Sequence, residues 1–231
     1  MKQKVLVTGG AGFVGHGLID YLLKKTDYDI ISLDRLDPAG RLDRLHDIIK
    51  DQPDFQKRLS IVWHDLKAPI SSFTAEKLQG VTQVYHLAAG SHVNRSIKHP
   101  LEFVMDNVVG TCNLLEYCRK HLKSLELFLY FSTDEVFGPA PQGVIFKEND
   151  RYNACNPYSA SKAGAEELCN AYKNTYNLPV VITHTMNIYG PRQHTEKFIP
   201  NTIHKIKTGK KIQVHTDYGK KDFKSLLSSR Q

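Results

Sequence analysis

Residues Val5-Leu6-Val7-Thr8-Gly9-Gly10-Ala11-Gly12-Phe13-Val14-Gly15 decide the fold. A short apolar run leads into four glycines, and an apolar pattern at helical spacing follows. The order reads as strand, tight turn, helix. Glycines at 10, 12 and 15 satisfy G-x-G-x-x-G, and those at 9, 12 and 15 satisfy G-x-x-G-x-x-G. Glycine suits such a turn because it accepts positive φ, lets the backbone approach a pyrophosphate, and lets helix pack close to strand. Phosphates would sit at the helix N-terminus, with Gly9, Gly12, Phe13, Val14 and Gly15 around them, where free N–H groups and the dipole favour negative charge. A flexible loop is the plain alternative. Against it, an acid, Asp34, follows about 20 residues on, as the dinucleotide fingerprint requires.

Strand-like and helix-like runs alternate outward from that turn. Strands are expected at 4–8, 30–33 (ending at Asp34), 59–63, 83–87, 126–132 and 179–183. Helices are expected at 13–25 and 41–50, with long ones at 100–121 and 157–176. Asn156 suits an N-cap and Pro157 a first helical turn. The alternation implies an α/β fold: a Rossmann-type, doubly wound parallel sheet with helices on both faces. After residue 190 the rhythm changes to a loop, a helix over 197–208, a short strand at 211–214 and a polar tail. Residues 1–190 are therefore expected to form the dinucleotide domain with the catalytic residues, and 191–231 a partial substrate lobe with a basic tail.

The composition is that of an ordinary globular protein: 231 residues, 41% hydrophobic and 24% charged. No stretch approaches a membrane span, and residues 1–8 lack the layout of a signal peptide, so a cytoplasmic protein without a membrane partner is expected. Cys112, Cys118, Cys155 and Cys169 form no C-x-x-C pair and no zinc spacing, which reads as reduced thiols and no metal. Net charge is +7, with lysines concentrated in 197–224. A solvated surface explains them; attraction of an anionic nucleotide-sugar is the functional alternative. No nucleic-acid-binding signature is present, and no such partner is expected.

Asp34 falls where a carboxylate accepts hydrogen bonds from the adenosine ribose and repels a 2′-phosphate, which favours NAD over NADP. Arg35 is the counter-signal, since an arginine there would pair with that phosphate. Asp65-Leu66 follow the third strand, and Leu87-Ala88-Ala89-Gly90-Ser91 the fourth. Both lie at carboxyl ends of parallel strands, where this architecture binds ligands.

Tyr158 and Lys162 form Y-x-x-x-K, which puts both on one helical face. An adjacent ammonium would lower the tyrosine pKa and make it a base; the alternative is a surface pair. Thr133-Asp134-Glu135 stand where the fifth strand ends. Two acids suit a β-elimination, one taking a C–H proton and the other protonating the leaving oxygen. A solvated turn is the alternative.

Taken together, these residues resemble the extended short-chain dehydrogenase/reductase family, and within it the nucleotide-sugar 4,6-dehydratases of the dTDP-glucose type. The resemblance rests on the glycine turn, Asp34-Arg35-Leu36, His86-Leu87-Ala88-Ala89, Ser91 to Ser96, Asn107 to Thr111, Ser132 to Gly138, Asn156 to Lys162 and Asn187 to Pro191. The chain departs from the pattern at His16, Gly90, Asn94 and Phe137. The resemblance implies that Tyr158, helped by Lys162 and Thr133, removes the 4-hydroxyl proton of a nucleotide-hexose while hydride passes to NAD. Glu135 then takes the C5 proton, Asp134 protonates the departing 6-hydroxyl, and hydride returns to C6. It further implies substrate contacts at Ser91, Thr133, Asn187 and Lys197, and a homodimer paired through helices 100–121 and 157–176. It also implies a substrate lobe that continues past residue 231, so the lobe here is expected to be incomplete. Two alternatives stay open: a 4-epimerase or reductase of the same family, against which Asp134-Glu135 argue, and a shortened, non-catalytic NAD-binding or dimerising form.

Overall fold

The structure, a computed structural model, describes residues 2–212. Six strands make one sheet: β1 (Lys4–Thr8), β2 (Asp29–Asp34), β3 (Leu59–Trp63), β4 (Gln83–His86), β5 (Leu127–Thr133) and β6 (Val180–Thr185), in the order β3-β2-β1-β4-β5-β6. Every pairing is parallel, so helices must carry the crossovers. They are α1 (Phe13–Lys25), α2 (Leu42–Ile49), α3 (Pro53–Arg58), α4 (Ser72–Lys77), α5 (Val93–Lys98), α6 (Pro100–Phe103), α7 (Gly110–His121) and α8 (Pro157–Tyr176).

Alternation along β1 builds two cores. Leu6 packs with Val84, Leu114, Leu115, Phe128 and Tyr130 on one face, while Val5 and Val7 pack with Ile19, Leu22 and Leu45 on the other. Successive strand side chains point to opposite faces, so a centrally placed strand must be apolar throughout. This is why residues 5–7 read as an unbroken apolar run.

One expected helix is built differently. The run 100–121 is α6, then a π-helical segment Val104–Val109, then α7. A π segment adds a residue to the turn without breaking the helix, and apolar spacing does not reveal it. β6 ends two residues later than expected, at Thr185. Lys211 and Ile212 carry no strand. The rest of that expected strand and the polar tail lie outside the described residues.

The chain divides into two compact units, Met1–Ile188 and Tyr189–Gln231. The second carries α9 (Phe198–Lys207), with Lys197 at its N-cap. Among the described residues no helix is long and apolar enough to cross a membrane, and no group of His, Cys, Asp and Glu could hold a metal.

Candidate active site

The glycine turn is dictated by space. Gly9 takes φ +68°, and a Cβ there would come 2.8 Å from the Ala88 backbone nitrogen. A Cβ at Gly15 would fall on the Gly9 carbonyl oxygen. Gly12 is the N-cap of α1; no side chain caps the helix, and its first turn holds no acid. The N–H groups beginning at Phe13 and Val14 are thereby left for an anion, and the glycines clear the backbone in front of them. This cradle fits the pyrophosphate of a dinucleotide. His16 Nδ1 donates back to the Gly12 carbonyl at 2.9 Å.

Asp34 is buried at the end of β2. Its carboxylate accepts from the Leu36 and Ala11 amides at 2.8 and 3.1 Å, and burial holds its pKa above the usual carboxylate value. Gly40 keeps the space beside it open, since a Cβ there would sit 2.5 Å from Asp34 Oδ1. A carboxylate has acceptor capacity beyond these two bonds, so a ribose hydroxyl is compatible with them. Arg35 is engaged by Asp37 and Asp106. Asp65 pairs with Lys67 at 3.2 Å. Leu66 is buried against Gly110, and its carbonyl accepts from Asn113 at 2.8 Å. Leu87 and Ala88 are half-buried beyond β4, with Ala89 and Ser91 exposed.

A buried polar chain ties that edge to the helices. The Ala88 amide donates to Thr8 Oγ1 at 3.2 Å, and Thr8 Oγ1 lies 2.7 Å from His86 Nδ1. His86 Nε2 lies 2.9 Å from Thr111 Oγ1, which donates to the Asn107 carbonyl at 2.5 Å. With the Thr111 proton committed, His86 must donate through Nε2 and accept through Nδ1. A neutral ring fits, because complete burial, followed by the Lys162 charge, pulls His86 down to about 3. The Asn107 side chain accepts from the Gly90 amide at 2.8 Å and donates to Ser161 Oγ at 2.8 Å, joining the β4 edge to α8.

The start of α8 is set by its cap. Asn156 Oδ1 accepts from the Ser159 amide at 2.8 Å, the Ser159 hydroxyl completes a capping box, and Pro157 opens the first turn. The Asn156 amide also donates to Glu135 Oε2 at 3.2 Å, a second role that its place in the sequence did not announce. Thr133 caps the short 3-10 turn Asp134–Phe137, accepting from the Glu135 amide at 3.3 Å. Thr133 Oγ1 lies 3.4 Å from Asp134 Oδ1 and also hydrogen-bonds Tyr158. Burial, then the charge of Glu135, pushes the Tyr158 phenol up to about 12; the Thr133 bond acts the other way and Asp134 adds to the rise. Thr133, Asp134, Glu135 and Tyr158 therefore face one another at the carboxyl end of β5.

Lys162 corrects an expectation. It shares the helical face of Tyr158, but its ammonium turns inward to the Phe131 carbonyl at 2.8 Å and lies 4.0 Å from the Tyr130 ring centroid. It does not lower the tyrosine pKa in this arrangement, and burial takes its own down to about 7. Sharing a face sets Cβ positions; a long flexible stem sets where the charge goes.

Sequence reading missed Glu166, one further turn along the same face. It is completely buried. It accepts from Ser132, from Tyr152 at 2.6 Å and from His184 at 2.8 Å. A continuation of the four-residue spacing, 158–162–166, was the available signal. Asn187 is exposed just beyond β6. Lys197 belongs to the second unit.

Comparison with known proteins agrees with this geometry. The family model for GDP-mannose 4,6 dehydratase matches residues 6–225. A dTDP-D-glucose 4,6-dehydratase of Dictyostelium discoideum is 40% identical over 227 residues, covering 92% of this chain and 50% of that protein. The crystal structure of a dTDP-glucose 4,6-dehydratase from Streptomyces venezuelae with NAD bound superposes with a TM-score of 0.84 at 35% identity, over 93% of this chain and 65% of that one. The UDP-glucuronic acid 4-epimerase of Bacillus cereus is more distant, at 28% identity and a TM-score of 0.82, with 93% of this chain and 66% of that chain covered. The chain thus spans half to two thirds of the length of these relatives. With its parallel sheet, glycine cradle and Thr133-Asp134-Glu135 facing Tyr158, it belongs to the GDP-mannose 4,6 dehydratase family, among the nucleotide-sugar 4,6-dehydratases of the extended short-chain dehydrogenase/reductases.

Proposed function

We propose that this chain carries the catalytic half of an NAD-dependent dehydration that turns a nucleotide-hexose into a 4-keto-6-deoxy sugar. One arrangement carries the reading: Asn156, which caps the helix that bears Tyr158, also donates to Glu135 at 3.2 Å, and Thr133 Oγ1 stands 3.4 Å from Asp134, so both acids lie at the start of that helix. A 4-epimerase needs the base alone, whereas elimination of water needs two further proton-handling groups beside it. NAD, held at Gly9, Gly12, Phe13, Val14 and Gly15, at Asp34, Arg35, Asp65 and Leu66, and at Leu87, Ala88, Ala89 and Ser91, would supply the reversible oxidation of the sugar.

Tyr158 takes the proton of the 4-hydroxyl, with Thr133 bonded to the phenol. Lys162 is buried and fixed on the Phe131 carbonyl, and we assign it to the site as a positioning residue on the Tyr158 face of the helix. Glu135, oriented by Asn156, takes the C5 proton, and would return a proton to C5 when C6 is reduced. Asp134 gives a proton to the departing 6-hydroxyl. Ser91, Thr133 and Asn187 are the proposed sugar contacts.

A homodimer through the helices 100–121 and 157–176 is part of the proposal. Exposed Leu101, Val104 and Tyr176 on these elements support it. Four free thiols suit a reducing compartment, and the cytoplasm is the proposed setting.

The test is to incubate the full chain and NAD with dTDP-glucose and UDP-glucose and to weigh the products. Loss of one water from either supports the reading; conversion to the 4-epimer without a mass change contradicts it.

A further inference from the structure

Arg35 speaks against NAD in the sequence, because an arginine after β2 suits a 2′-phosphate. In the structure its guanidinium is already taken. Nε and Nη2 donate to Asp37 Oδ2 at 3.0 and 2.9 Å. Nη1 and Nη2 donate to Asp106 Oδ1 and Oδ2 at 2.6 and 3.0 Å. These bonds use all but one of the guanidinium donors.

The place of the pair matters. Arg35 and Asp37 follow β2, while Asp106 belongs to the π segment that follows β4. β1 lies between those strands in the sheet, so the ion pair joins the two oppositely wound halves at the switch point, where this architecture takes its ligand. The Asp106 side chain is 5% exposed and that of Arg35 24%. Asp106 Oδ2 stands against Gly90, within 3.3 Å of where a Cβ would be. Lys67 is the other cation near Asp106, at 3.9 Å, and it pairs more closely with Asp65. Burial opposes the Arg35 charge, but Asp106 and then Asp37 more than offset it and hold the guanidinium above its ordinary value. A partly buried bidentate pair is among the stronger ion pairs, unlike a solvated one.

We propose that Asp106, with Asp37, is a specificity-determining residue for the dinucleotide: the two carboxylates clamp Arg35, so that a 2′-phosphate at the adenosine end meets acids in place of an available arginine. The inference rests on the dinucleotide reading of the glycine turn and deepens it. A 2′-hydroxyl needs only an acceptor, which Asp34 supplies. A 2′-phosphate brings further negative charge toward Asp34, Asp37 and Asp106, and Arg35 reaches it only by leaving two partners. Asp34 alone does not account for selectivity on this view; the clamp converts an arginine that would admit NADP into part of the barrier.

The experiment is calorimetric titration of NAD and NADP into the full chain, its Asp106→Asn and Asp37→Asn variants and the double variant. Both substitutions keep side-chain shape, and thermal melting verifies folding. The parent is expected to prefer NAD. The double variant is expected to bind NADP at least roughly tenfold more tightly than the parent, with NAD changed by less than about threefold. Adding Arg35→Leu to the double variant is expected to remove that gain, which separates a freed arginine from a mere loss of negative charge. If NADP affinity does not change in the double variant, or if the gain survives Arg35→Leu, the clamp is overturned while the dinucleotide reading stands. A folded parent that binds neither dinucleotide overturns both.

Discussion

The Lys162 ammonium donates to the Phe131 carbonyl oxygen at 2.8 Å, inside the sheet edge and not toward Tyr158. Burial takes its pKa down to about 7, with Glu166 acting in the opposite direction. An unfolded lysine titrates near ~10.4. Between those values the unfolded chain keeps a proton that the folded chain has released, so this group adds stability as pH rises from about 7 toward 10 and withdraws it below. Lys162→Met lacks that dependence. Its stability relative to the parent is expected to fall by about 3 kcal/mol between pH 6 and pH 9.5, read from urea denaturation. A difference that stays flat over this range contradicts a buried ammonium.

Glu166 tethers β5, β6, α8 and the loop after the 3-10 turn through Ser132, His184 and Tyr152. Replacing it with alanine leaves three donors, one buried and two partly buried, without their shared acceptor. Glu166→Ala is expected to cost roughly 3 kcal/mol or more in denaturant unfolding, and Glu166→Gln less, because the amide oxygen still accepts. Equal, small losses would show that the hub is not closed.

Two glycines of α1 are expected to behave oppositely. Gly15→Ala drives a methyl into the Gly9 carbonyl and is expected to disrupt the turn and its anion cradle. A Cβ at Gly17 meets nothing within 4 Å, so Gly17→Ala is expected to stabilise by about 0.5–1 kcal/mol. Trp63, the chain's single tryptophan, donates to the Arg35 carbonyl at 3.0 Å and reports on the adenosine end. Its fluorescence is expected to respond to NAD in the parent and in Gly17→Ala, and not in Gly15→Ala.

Tyr158 is pushed up to about 12, first by burial and then by Glu135, so its phenolate is scarce at neutral pH. Turnover is expected to rise with pH through the neutral range. Tyr158→Phe is expected to lose roughly 10²–10⁴-fold in turnover while NAD affinity stays within about threefold. Full activity in that variant removes Tyr158 as the base.

The glycine turn, Asp34 and the Tyr158–Lys162 spacing were legible because each is a local pattern, with strand, turn and helix adjacent in the chain. The Glu166 hub was not, since its partners come from residues 132, 152 and 184 and meet only when β5 and β6 pair. The π segment was hidden because residue type does not distinguish an i→i+5 turn from an i→i+4 one. The direction of Lys162 and the clamp on Arg35 were also out of reach: residue type and spacing fix where a long side chain starts, and tertiary partners fix where it ends.

The central claim is that Asp134 and Glu135 turn an oxidised sugar into a dehydrated one. The most direct measurement is to run the full chain with NAD and a nucleotide-hexose in deuterated water, then read product mass and proton spectrum. Loss of one water, with deuterium at C5 that Glu135→Gln abolishes, is the expected result. A product that keeps its 6-hydroxyl, or C5 labelling unaffected by Glu135→Gln, contradicts the account.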